Sequence, residues 1–167
     1  MITKYYFIMS KNKLDATDLK ILKKLQENGK ITNLQLSEEI GLSPAPTLER
    51  VRKLEKSAII TGYHATVDEA MLGMGIMAFI QLSLERQVDN FISNFAEQIG
   101  DIEEVVECYQ VTGTCDFLLK VMVKDIPAFE HLISNKLSRI EEIGNMQTMV
   151  ILGQPKNTRV VPLNYAE

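Results

Sequence analysis

The chain has 167 residues, 46% of them hydrophobic, and a net charge of −4 from 18 Lys and Arg against 22 Asp and Glu. That length admits one ordinary domain or two small ones with enough apolar content for a core, and no apolar run has the length that a membrane span requires. Cys108 and Cys115 are too far apart for a CxxC pair and follow no secretory signal, so reduced thiols and a cytoplasmic location are expected.

The acidic average hides a division. Residues 1–62 carry 11 Lys and Arg against 7 Asp and Glu, whereas residues 63–167 carry 7 against 15. A basic head on an acidic body points to a polyanionic partner for the head alone.

Residues 1–12 read as a flexible extension; its apolar stretch "YYFIM" is too short to anchor anything, and Met9 is itself a candidate start. "LDATDLKILKKLQENGK" then opens a helix with Asp15 as N-cap, Leu14 and Leu19 as a hydrophobic staple, and Gly29 as its end. In "ITNLQLSEEIGL" Thr32 and Gln35 stand at capping-box spacing, Ile31 and Leu36 form the staple, and Gly41 closes a short second helix. "LSPAPTLERVRKLEKSAII" starts a third, with Ser43 as N-cap, Pro44 as first residue and Pro46 still among the N–H groups that lack intrahelical acceptors.

At about 100° per residue, Leu48, Val51 and Leu54 share the face that packs. The opposite face carries Pro46, Glu49, Arg50 and Lys53, flanked by Arg52 and Lys56. The tight glycine-containing turn makes the second and third helices a helix-turn-helix of winged type, whose second helix enters the major groove N-terminus first. Ser43, Pro44, Ala45, Pro46 and Thr47 then face the groove with Glu49, Arg50 and Lys53. Arg50 is expected to pair with a guanine edge, and Arg52 and Lys56 to meet phosphates.

Alternation in "IITGYHATVD" predicts a linking strand, with Gly62 as the bend, so that residues 13–61 form the DNA-binding domain and residues 62–73 the linker. Residues 74–167 read as βαββαβ: a strand at 75–85, a helix carrying Phe91, Ile92, Phe95 and Ile99, a strand, a hairpin at "TGTCD", the strand "FLLKVMV", a helix from Pro127 to Ile140 capped by Asp125, and the strand "MQTMVILG". This is the ferredoxin-like arrangement, with both helices on one face of an antiparallel sheet, and the whole chain is of the α+β class. The first strand is apolar on both sides, so one sheet face lacks a cover within the chain and points to a homodimer.

In "LDATDLKILKKLQENGKIT", "LSPAPTLERVRKLEKSAIITGY" and "VVECYQVTGTCDFLLKV" the chain from Leu14 to Leu163 resembles the Lrp/AsnC transcriptional regulators. The resemblance implies a DNA-binding domain joined to an effector domain that dimerises, dimers gathering into octamers around double-stranded DNA, and regulation by an amino-acid effector rather than a cofactor. It further places Gly113, Thr114 and Asp116 in the effector loop, with Ile126, Met149 and Val150 among neighbouring pocket residues. Two departures stand out. The family often has an acidic residue and an aromatic where this chain has Thr114 and Cys115, and it favours glycine where this chain has Ala58.

His64 and His131 lack neighbouring ligands, so no metal is expected. A nucleoid-like architectural protein that wraps DNA without a ligand is the alternative. An enzyme on a ferredoxin-like scaffold would need a nucleophile with its base, a metal spacing or a phosphate loop, and none is found.

Overall fold

The computed structural model describes residues 14–85 and 89–163; the expected N-terminal extension lies outside them. The described residues form two compact units, residues 14–66 with 156–163, and residues 67–85 with 89–155.

In the first unit α1 (Ala16–Glu27), α2 (Asn33–Ile40) and α3 (Pro44–Lys56) surround a core of Ile21, Leu22, Leu36 and Leu54. The helix starts follow from side-chain caps. Asp15 accepts from the Asp18 N–H at 2.8 Å while Asp18 accepts from the Asp15 N–H, and Thr32 with Gln35 repeats this reciprocal box on α2. Gly29 does not close α1. The cap is Asn28 in extended conformation, its side chain accepting from the Lys30 N–H at 3.0 Å. Gly41 does end α2, at φ 77°.

Where α3 ends, Ala58 occupies the left-handed region at φ 56°. Its N–H still reaches the Glu55 carbonyl at 2.9 Å, so the turn that glycine favours is made by alanine under strain. Ala58→Gly should therefore stabilise the first unit by up to about 1 kcal/mol, read as a rise in its thermal midpoint with DNA affinity unchanged.

The expected linking strand is absent: residues 61–68 pair with no strand among the described residues, and a turn follows at 69–73. Without a partner in its own chain an alternating segment has no ladder to join. The C-terminal segment also departs from expectation. Residues 156–163 belong to the first unit, where the Gln26 amide donates to the Val161 carbonyl at 3.3 Å and accepts from the Val161 N–H at 2.6 Å, while Leu163 packs on the helical core.

The second unit is β1 (Ile76–Leu84), α4 (Asp89–Gly100), β2 (Val105–Gln110), β3 (Phe117–Val123), α5 (Ile126–His131) and β4 (Ile143–Val150), with sheet order β2-β3-β1-β4, antiparallel throughout. This is the ferredoxin-like βαββαβ arrangement. Asp125 caps α5 by accepting from the Ala128 N–H at 2.8 Å, but α5 does not run straight to Ile140: it continues as a π turn at Leu132–Lys136 and a 3₁₀ turn at Leu137–Arg139. Lys136 on the π turn grips both oxygens of Glu104, at 2.7 and 2.8 Å, and that contact holds the Glu104 carboxyl below its usual range.

Ala78, Ile80, Leu82 and Leu84 of β1, with Phe117, Leu119, Val121 and Val123 of β3, are buried under Phe95 and Ile99 of α4 and Leu132 and Leu137. β4 starts at Ile143, three residues before the expected Met146, and takes Gly144 where a β-carbon would lie 3.3 Å from the Glu85 backbone nitrogen. The alternate residues Met77, Phe79, Leu118 and Met122 occupy the opposite sheet face, and they are only half-buried. On that face Lys120 pairs with Glu107 across β2 and β3 at 3.2 Å, and Tyr109 donates to the same carboxylate.

Candidate functional site

Two regions collect the chemistry, one in each unit. On α3 the doubled proline removes the N–H groups of the first and third helical residues, so Ser43 caps by position without a side-chain hydrogen bond. Its carbonyl instead accepts from both the Thr47 N–H and the Thr47 hydroxyl, at 3.3 and 2.9 Å. A second tie comes from α2, where the Asn33 amide donates to the Pro44 carbonyl at 2.8 Å.

The packed face of α3 lies one residue away from the expected one. Thr47 is 0% exposed and Leu54 2%, whereas Leu48 is 38% exposed. Thr47, Val51 and Leu54 repeat at i, i+4 and i+7, so Thr47 is a core residue and does not face a groove. Arg50 flanks the same face. Its Nη1 lies 2.7 Å from both Asp15 Oδ2 and Asp18 Oδ1, so within the folded unit it is turned toward α1 rather than outward as the sequence reading had it. The two carboxylates raise the Arg50 pKa, and the Asp18 N–H, followed by Arg50, holds the Asp15 carboxyl below its ordinary range. Ser43, Pro44, Ala45, Pro46, Glu49, Arg52, Lys53 and Lys56 are all exposed. Among the described residues Arg52, Lys53 and Lys56 make no ion pair, and they leave an exposed cationic strip on the C-terminal half of the helix whose start the prolines stiffen.

In the second unit a cleft of about 240 Å³ opens beside the β2–β3 hairpin, lined by Leu84, Ile92, Gln110, Val111, Thr112, Gly113, Cys115, Asp116 and Phe117. Gly113 turns the hairpin at φ 121°, a conformation open to glycine and strained for other residues. Asp116 ties the hairpin to β1: its carboxylate accepts from the Leu84 N–H and its own N–H donates to the Leu82 carbonyl, each at 2.8 Å. It thus serves the local backbone while bordering the cleft. Among the described residues no cluster of His, Cys, Asp or Glu is arranged to hold a metal ion, and no helix is long and apolar enough to cross a membrane.

Within one chain the expected effector residues separate into two groups. Gly113, Thr114 and Asp116 precede β3, while Ile126 follows its other end. Met149 and Val150 pair with Phe79 and Ala78, toward the end where Ile76 meets Val123. A strand of β3's seven residues spans about 20 Å, so one protomer does not gather the two groups. Sequence reading missed Leu84, Ile92, Gln110, Val111, Thr112, Cys115 and Phe117. Three of them flank the glycine turn directly, and that proximity was the available signal.

Residues 14–61 match a winged helix-turn-helix DNA-binding family, and residues 77–161 match the Lrp/AsnC ligand binding domain. Together with the fold, these matches define a DNA-binding transcriptional regulator with a separate ligand-binding domain. The leucine-responsive regulatory protein of Haemophilus influenzae is 38% identical over 150 residues, covering 90% of each chain, and the Bkd operon transcriptional regulator of Pseudomonas aeruginosa is 38% identical over 139 residues, 83% of this chain and 91% of that protein. A transcriptional regulator from Neisseria meningitidis, solved as a complex with L-Met, superposes with a TM-score of 0.86 at 37% identity, covering 90% of this chain and 97% of that one. The chain belongs to the Lrp/AsnC family, and like these relatives it is a regulator of transcription, not an enzyme.

Proposed function

We propose that the protein is a cytoplasmic regulator whose affinity for duplex DNA is adjusted by an amino acid, acting as a homodimer or a larger assembly such as an octamer. The observation that carries the DNA half is the exposed strip of Arg52, Lys53 and Lys56 behind the rigid start of α3. In this reading Ser43 to Pro46 lead into the major groove, Glu49 and Lys53 approach base edges, and Arg52 and Lys56 meet phosphates. Lys56→Ala should weaken binding to all sequences alike and reduce the slope of log K against log salt by about 0.9, the release of one counterion. Anisotropy titrations across a salt series measure this; an unchanged slope removes Lys56 from the contact surface.

The effector half is supported by the cleft at Gly113 and Asp116 and by the Neisseria regulator's complex with L-Met. A free amino acid needs a carboxylate near its ammonium group, backbone N–H groups for its own carboxylate and an apolar wall. Asp116, the hairpin backbone and Leu84 with Phe117 supply those chemistries around one cleft. Ile126, Met149 and Val150 join such a site only if a second copy brings them. The half-buried sheet face of Met77, Phe79, Leu118 and Met122 supports self-association, since an apolar face of this kind marks an interface. Calorimetry of the full chain against the L-amino acids tests the reading: saturable heat with one or a few of them is expected, and silence with all of them leaves DNA wrapping without a ligand.

A further inference from the structure

The cluster formed by Arg50, Asp15 and Asp18 joins the groove-facing helix to the first turn of α1 through distinct atoms. Asp15 Oδ1 accepts from the Asp18 N–H at 2.8 Å and Asp18 Oδ2 from the Asp15 N–H at 3.3 Å, which leaves Asp15 Oδ2 and Asp18 Oδ1 for Arg50. Both remaining oxygens lie 2.7 Å from the same guanidinium nitrogen, and Asp18 is only 5% exposed. Both contacts use Nη1, so presenting the Nη1–Nη2 fork to a base edge would require Arg50 to abandon both contacts and leave a buried carboxylate without its cation, a costly exchange.

We infer that Arg50 stays on the two carboxylates when DNA is bound, and that it is a positioning residue that sets the angle of α3 against α1 instead of reading a base. It works with the Asn33–Pro44 contact at the other end of the exposed surface: one tie fixes the start of α3 and the other its middle, so little orientational freedom is lost on docking. The inference rests on the reading of α3 as the helix that enters the groove.

The two views of Arg50 predict opposite signs for its partners. If Arg50 reads DNA, Asp15 and Asp18 compete with DNA for it, and Asp18→Asn tightens binding. If it positions α3, Asp18→Asn loosens binding. The experiment uses the full-length chain and a fluorescent duplex selected by the wild-type protein from a random pool, titrated over a salt series. Asp18→Asn and Arg50→Ala should each weaken binding roughly 3- to 30-fold, with the salt slope and the selected base preferences unchanged. Arg50→Lys, which keeps the charge and still reaches one carboxylate, should recover part of the loss.

Circular dichroism melting of each variant identifies any that fails to fold, in which case Arg50→Lys and Asp15→Asn carry the test. Tighter or unaltered binding by Asp18→Asn, a slope reduced by about 0.9 in Arg50→Ala, or altered preference at one base pair would each overturn the inference. Lys56→Ala in the same titration separates the two levels. If it has no effect the surface itself is misassigned, and if it weakens binding while Asp18→Asn tightens it, only the role of Arg50 is wrong.

Discussion

Ile21→Ala should abolish DNA binding without touching any residue of the exposed α3 surface. Ile21 is fully buried in α1, in a cluster whose other buried apolar members are Leu22, Leu36 and Leu54. Truncating a buried isoleucine to alanine costs about 2–5 kcal/mol, the lost transfer free energy plus the cavity left behind. A core this small supplies about 3–5 kcal/mol in all, so the substitution removes most of the margin that keeps three short helices together. Differential scanning calorimetry of the full chain should show the first unit melting early or already unfolded at room temperature, while the second unit keeps its own transition. Anisotropy should show loss of duplex binding in parallel. An unchanged thermogram would mean that the helical core draws on far more than these residues.

The second large effect belongs to the other unit. Phe95 is fully buried on α4, and its ring meets that of Phe117 on β3 at a centroid distance of 4.5 Å and a tilt of 42°. Phe95→Ala should cost about 3–5 kcal/mol, part of it the ring pair, worth about 0.5–1.5 kcal/mol beyond the area it buries. The core here is larger, so the unit should remain folded but with a much lower urea midpoint. Because Phe117 and Leu84 also border the cleft, amino-acid binding should weaken. Phe95→Leu, which refills most of the space, should recover over half of the loss. Chemical unfolding with calorimetric titration of both variants distinguishes a packing effect from a local one: equal losses for Ala and Leu would show that the ring pair, not the volume, matters.

How far the sequence could be read depended on whether a feature was local. The caps at Asp15, Thr32 and Asp125, the helix start at Pro44 and the strand at Phe117–Val123 all depend on neighbours within a few positions, and the structure places them where the spacing predicts. The face of α3 was misjudged by one residue because hydropathy favours Leu48 over Thr47. The hydroxyl of Thr47 is satisfied inside its own helix by the Ser43 carbonyl, and the residue then buries like an apolar one. The ion pairs of Arg50 were hidden for a related reason: its charge pointed outward, but its partners lie 32 and 35 positions earlier, beyond any periodicity. The same distance in sequence hid the grip of Gln26 on Val161 and the gathering of Leu84 and Ile92 at the cleft. The linking strand failed for the opposite reason, since its alternation was visible but a strand also needs a partner.

The return of residues 156–163 to the helical unit means that the ligand-binding part is spliced into the DNA-binding part, with a junction at each of its ends. A hybrid regulator built by joining a foreign sensor at a single seam near residue 66 would deprive the donor helices of Val161 and Leu163. Grafts made at both seams, near residues 66 and 156, should behave as intact proteins. A lone nick near residue 66 would leave the helices held to the rest of the chain only by the noncovalent contacts of residues 156–163.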